Sequence, residues 1–123
     1  MSSVHIHYLN HASLLVELGE VRLLFDPWLE GTAFSGGWGL RFENPDAFDL
    51  GATATHLWLS HWHSDHLHVP SLRKLAERNP DMAVLANVSA NFSMVERLQS
   101  LGFHDVRPFR EREPIDLDED TSC

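Results

Sequence analysis

Residues 61 to 66 read His61-Trp62-His63-Ser64-Asp65-His66, and they follow directly on the β-prone run Thr55 to Ser60. Three imidazoles and a carboxylate within six positions are costly to bury unless they are ligated or hydrogen-bonded. The segment therefore demands a loop at the end of a strand, where a sheet presents its reactive side chains. In an extended loop His61 and His63, two residues apart, project to one side and can reach one ion. Asp65 and His66, at the following turn, can face a second ion beside it. Neutral imidazole and carboxylate suit zinc, and manganese or iron as well. The spacing points to two divalent metal ions, each lowering the pKa of its bound water towards about 7 and so making hydroxide available for hydrolysis.

The rest of the chain supplies a sheet for this loop. Val4 to Leu9 and Ser13 to Leu18 are apolar-rich runs separated by Asn10-His11-Ala12, and Val21 to Phe25 is a third run, ended by Asp26-Pro27 because proline cannot donate to a ladder. The opening is a β-meander. From Glu30 to Gly51 neither a period of 2 nor one of 3.6 persists, and Phe34, Trp38, Phe42 and Phe48 are spread among glycines. This segment reads as a long loop, either covering a substrate or packing its aromatics on the core. Beyond the cluster, Leu67 to Arg78 reads as a helix stopped by Asn79-Pro80, Met82 to Ala86 as a buried strand, Ala90 to Leu101 as a helix ended by Gly102, and His104 to Phe109 as a last strand. Strand, helix, strand, helix, strand implies parallel pairing through crossover helices. The class is mixed α/β.

Composition narrows the function. A chain of 123 residues fits one domain. Its formal charge of -9, from 18 acidic against 9 Lys and Arg residues, repels phosphate backbones and argues against nucleic-acid binding. Part of that excess forms an acidic tail over residues 111–123, read as solvated. The one cysteine, Cys123, is the last residue, so no intrachain disulfide forms. With neither a secretory signal nor an apolar run of about 20 residues, a cytoplasmic protein without a transmembrane segment is expected.

The remaining histidines are read as structural or exposed for the most part. His5 and His7 share one side of the first strand, His56 opens the run leading into the cluster as a packing or surface residue, and His68, just beyond the cluster, is read as a solvent-facing helix start in preference to a residue near substrate. His11, at the first turn, stays open between structure and site. His104 opens the last predicted strand soon after a helix.

At this point the sequence resembles a family. His61-x-His63-x-Asp65-His66 matches the HxHxDH signature of the metallo-β-lactamase superfamily, and Ser60 and Leu67 on either side also fit. Asp26, in Leu24-Phe25-Asp26-Pro27, is similar to an earlier aspartate of that superfamily, which supports the metal loop from behind without binding metal. The stretches Asp26 to Phe34, Gly37-Trp38 and Ser60 to Leu67 are similar to the metallo-β-lactamase-like domain of CMP-N-acetylneuraminate hydroxylase and its bacterial relatives. Asn10-His11-Ala12-Ser13 also resembles a strand-turn of the ascorbate-phosphate lactonase and phospholipase D-like branches.

The resemblance implies a four-layer αββα sandwich built from two halves. Residues 1–110 would be the N-terminal half, a β-meander followed by β-α-β-α-β, with 111–123 a truncated acidic tail. The other metal ligands, a histidine, a bridging aspartate and a final histidine, would belong to the second half. A catalytic zinc has three protein ligands plus water, and here each ion would have two. The implied activity of the complete domain is hydrolysis of an ester, lactone or phosphodiester in a small-molecule substrate, sugar- or lipid-derived. His61 and His63 would hold one ion, Asp65 and His66 the other, and Asp65 would also orient the nucleophilic water. Two other readings stay open. The chain could be a non-catalytic fragment that forms a homo-oligomer or pairs with a missing C-terminal half, or part of a di-iron oxygen-using enzyme, although one cysteine cannot build the Rieske cluster that the hydroxylase carries.

Overall fold

The computed structural model describes residues 4–10, 12–29, 32–33, 38–40, 46–60, 67–87, 93–110 and 117. Three strands open the chain, β1 (Val4–Asn10), β2 (Ser13–Leu18) and β3 (Val21–Phe25), and they pair antiparallel in sequence order. The β2–β3 turn is only Gly19-Glu20, with Leu18 opposite Val21, and Gly19 takes a positive φ of 59°. A two-residue hairpin needs that left-handed backbone to match the strand twist.

Two short strands follow, β4 (Thr32–Ala33) and β5 (Trp38–Gly39), which pair with each other in a separate two-stranded sheet. Then come the helix α1 (Ala47–Gly51), β6 (His56–Leu59), α2 (Val69–Arg78), β7 (Ala83–Asn87), α3 (Ser93–Ser100) and β8 (Asp105–Phe109). The main sheet has the order β1-β2-β3-β6-β7-β8, with β3, β6, β7 and β8 mutually parallel. The expected meander followed by β-α-β-α-β is what the chain forms, a mixed six-stranded α/β sheet.

Within the segment read as one long loop, α1 is a difference. Five residues are too few to show a helical period, and Asp46 before it makes no side-chain cap. The helix is held instead by tertiary packing: Ala47 and Gly51 are buried and Phe48 packs partly on the core. Phe34 and Phe42 lie outside the described residues.

One face of the sheet carries the helices. Leu9, Leu15, Leu24, Leu57, Leu59, Val84 and Ala86 meet Leu72, Leu75 and Ala76 of α2 and Leu98 of α3 in a single buried cluster. Each large side chain so buried contributes roughly 1.5–3 kcal/mol. The opposite face is apolar as well. Val21, Leu23, Leu85 and Phe109 are buried there with Leu117, and Trp58 lies against Phe109 with ring centroids 4.2 Å apart. His56 is buried on this face, its Nε2 3.1 Å from the carbonyl oxygen of Leu117. At the edge strand, however, Val4, Ile6 and Tyr8 are 55%, 64% and 59% exposed. Among the described residues no helix is long and apolar enough to cross a membrane.

Candidate metal centre

Because β1 is antiparallel to β2 and β2 to β3, the C-terminal ends of β1, β3, β6 and β7 share one edge of the sheet with the start of β2. A polar residue stands on each strand there: Asn10, Ser13, Asp26, Ser60 and Asn87. Ser13 is fully buried; its Oγ–H donates to the Asp26 carbonyl at 2.7 Å, and its Oγ accepts the Trp28 N–H at 2.9 Å. Asp26 itself has φ of 39°, a left-handed conformation that Asp tolerates better than most residues. Its N–H continues the β3–β6 ladder to the Trp58 carbonyl at 3.0 Å.

The Asp26 carboxylate then grips the next strand end with both oxygens. Oδ1 accepts the Ser60 N–H at 2.7 Å and Oδ2 accepts the Ser60 hydroxyl at 2.6 Å. The Ser60 carbonyl in turn accepts from Nδ2 of Asn87 at 3.1 Å. A continuous hydrogen-bonded row thus runs from Ser13 to Asn87 and immobilises the residue that precedes His61.

The residues after the cluster are held too. Leu67 is buried, and His68 is the N-cap of α2. The sequence reading of His68 as solvent-facing is overturned, since it is 1% exposed. Its Nδ1 accepts the Ser71 N–H at 3.3 Å and lies 2.7 Å from Ser71 Oγ. Ser71 Oγ also accepts the Leu29 N–H at 2.9 Å, so its hydroxyl proton is directed to Nδ1. The imidazole packs beside Trp28, ring centroids 5.8 Å apart. An imidazole can cap a helix when a neighbouring hydroxyl and a flat aromatic wall enclose it; a periodicity argument sees only a histidine at a helix start.

His61, His63, Asp65 and His66, the expected ligands, lie outside the described residues, as does His11. Among the described residues no three His, Cys, Asp or Glu side chains gather into a metal-binding group. His104 is exposed and pairs with Asp81 at 3.2 Å, and His7 reaches Glu17 at 3.6 Å. The donor set of residues 61–66, three imidazoles and a carboxylate, fits divalent metal chemistry. One further observation fits a ligand-loaded edge. Asn10 is fully buried, and neither its Oδ1 nor its Nδ2 has a hydrogen-bond partner among the described residues. A buried polar group left unsatisfied costs about 1–3 kcal/mol.

Sequence reasoning named Asn10 and Ser13 only within the Asn10-His11-Ala12-Ser13 resemblance, without a role for either side chain, and did not single out Ser71. Their signal is a small polar residue at a position whose neighbours are buried: Ser13 alternates with Leu15, and Ser71 lies in the α2 stripe of Leu72, Leu75 and Ala76.

Comparison with known proteins agrees with this geometry. The family model described as the Beta-lactamase superfamily domain matches residues 5–116. The chain is 48% identical over 82 residues, 66% of its length, to the inactive cytidine monophosphate-N-acetylneuraminic acid hydroxylase of Homo sapiens, of which it spans only 16%. Among solved structures, CmlA, a diiron beta-hydroxylase from Streptomyces venezuelae, superposes with a TM-score of 0.67 at 26% identity, covering 94% of this chain and 22% of that one. A possible metal-dependent hydrolase from Veillonella parvula superposes with a TM-score of 0.61 at 20% identity, covering 96% of this chain and 45% of that one. With its six-stranded sheet, its aspartate-braced strand end and a family match over nearly its whole length, the chain belongs to the β-lactamase superfamily and has part of the metallo-β-lactamase fold.

Proposed function

We propose that this chain provides the metal-binding loop of a metal-dependent hydrolase acting on an ester, lactone or phosphodiester of a small molecule. The observation that carries the reading is the double hydrogen bond from Ser60 to Asp26, which fixes the strand end at the first residue of the ligand segment. In this reading His61 and His63 hold one divalent ion, and Asp65 and His66 hold the other. Two such ions, zinc in the first instance, supply Lewis acidity and a lowered pKa of water. Asp65 additionally orients the attacking water, and Asp26 keeps the loop's entry point in place. Further ligands come from chain outside these residues, as the 45% coverage of the Veillonella parvula structure suggests. Residues 1–110 then act as the first half of the domain.

A second reading has its own support. Both the curated relative at 48% identity and CmlA are hydroxylases by name, so a di-iron, oxygen-using enzyme is the alternative. The two readings part in one experiment. The full-length polypeptide carrying this chain is purified without added metal, its metal content measured, and turnover followed on ester, lactone and phosphodiester substrates with zinc, manganese or iron. Zinc-supported hydrolysis lost in His61→Ala is the expected result. Oxygen consumption with iron and no hydrolysis would favour the alternative, and metal content equal to that of His61→Ala would exclude both.

A further inference from the structure

Residues 26–29, Asp26-Pro27-Trp28-Leu29, leave β3 without entering a further strand or helix, yet all four are buried. Buried irregular backbone is uncommon, because its polar groups must find partners without a ladder. Here every N–H of the segment has one. Proline has no N–H to satisfy, and the Asp26 N–H donates to the Trp58 carbonyl at 3.0 Å. The other two donate to serine hydroxyls, Trp28 to Ser13 at 2.9 Å and Leu29 to Ser71 at 2.9 Å. The segment starts at the positive φ of Asp26, a costly conformation that persists only where surrounding contacts impose it.

These contacts reach the residues on either side of the 61–66 segment. Before it, the Asp26 carboxylate takes the Ser60 N–H and hydroxyl. After it, His68 stands two residues beyond His66, and its ring centroid lies 5.8 Å from that of Trp28. Ser71 closes the circuit, its hydroxyl oxygen accepting the Leu29 N–H and lying 2.7 Å from His68 Nδ1. A metal site gains affinity when its ligands are held in place before the ion arrives. Anchorage at Ser60 acts most directly on His61 and His63, the ligands nearest to it along the chain. Asp65 and His66 are nearest to the other anchor. We propose that residues 26–29 are one brace for both ends of the ligand loop, with Ser71 and His68 as positioning residues for the ion assigned to Asp65 and His66. This rests on the metal-centre reading above and adds an exit-side pair to it.

The full-length polypeptide carrying this chain is stripped of metal and titrated with zinc against a chromophoric chelator, so that two binding steps are resolved. Asp65→Ala identifies the step that belongs to the exit side. Ser71→Ala and His68→Ala are expected to weaken that step about 10–100-fold and to leave the other unchanged. His68→Asn, which keeps an acceptor at the N-cap, is expected to recover the affinity that His68→Ala loses. If Ser71 and His68 serve only to stabilise α2, the alanine variants lower the melting temperature and leave both zinc steps at wild-type affinity. That result overturns the proposal but not the metal centre. A single zinc step in the wild type, or equal weakening of both steps, overturns it as well. Wild-type protein that takes up no more zinc than His61→Ala removes both. A measurement on the wild type alone guards against variants that do not fold. Coupling between sites is reciprocal, so zinc strengthens the contacts that favour its binding. Zinc loading should slow hydrogen exchange at the Leu29 and Ser71 N–H groups more than at the Leu101 N–H at the end of α3; equal slowing, or none, overturns the proposal.

Discussion

Asp26 joins three strands through one residue. Its carbonyl receives Ser13, its N–H extends the ladder to Trp58, and its carboxylate holds the Ser60 N–H and hydroxyl. Hydrogen bonds to a charged acceptor are each worth about 1.5–3 kcal/mol, and a partner left buried without one is penalised further. Asp26→Ala should therefore destabilise the chain by about 2–4 kcal/mol, read as a lowered urea midpoint. It should also weaken zinc binding about 10–100-fold, because Ser60 would no longer fix the entry to the ligand loop. Asp26→Asn keeps one acceptor oxygen and should lose less than half as much stability. The sequence singled out Asp26 through Leu24-Phe25-Asp26-Pro27 and its resemblance to the superfamily. Its partners were not, because Ser13 and Ser60 lie 13 and 34 positions away and meet it only through strand pairing.

The element that most clearly depends on such long-range contacts is α2. Its apolar stripe and its stop at Asn79-Pro80 follow from sequence spacing, but its start does not. The first turn is set by the His68 cap and by Ser71, whose hydroxyl links the helix to the Leu29 backbone 42 residues earlier. Ser71→Ala leaves the Leu29 N–H buried and unbonded and should lower stability by about 1–3 kcal/mol, more than a Ser→Ala change on an exposed helix face, where Ala is the better helix former. Ser100→Ala in α3 serves as that comparison in parallel denaturant titrations. The end of α3 makes the opposite case, since Gly102 with φ of 117° was readable as a stop from its residue type alone. Gly102→Ala should lower stability by about 1–3 kcal/mol, through backbone strain, because its added Cβ would meet the Ala76 Cβ only at an ordinary 3.4 Å.

For the molecule as a whole, the sheet is apolar on both faces while α1, α2 and α3 contribute to only one buried cluster. On the other face Leu117 covers Val21, Leu23, Leu85 and Phe109, but Ile6 and Tyr8 on the edge strand remain exposed. An uncovered apolar face beside an open strand edge invites association. The 123-residue chain alone should run in light scattering above its 14.0 kDa monomer mass and bind a hydrophobic dye. Ile6→Lys with Tyr8→Lys should return it towards the monomer. In the full-length polypeptide the same pair should lower the melting temperature, as expected if further chain covers this face. A dye-silent monomer of the unsubstituted chain would refute this view of the face.

Local chemistry in the sequence determined the α/β class, the order of the strands and helices, and the identity of the candidate ligands. Alternation, helical spacing, turn residues and the crowding of His61, His63, Asp65 and His66 all act over a few residues, and a linear reading captures them. Tertiary structure alone decided how the entry to that loop is held. The row Ser13, Asp26, Ser60 and Asn87 exists because strands remote in sequence end at one edge, where buried polar groups must find partners across the sheet. The same register decided that one member at that edge, Asn10, is buried without a hydrogen-bond partner among the described residues, and a bulge of one residue is invisible until two strands are laid side by side.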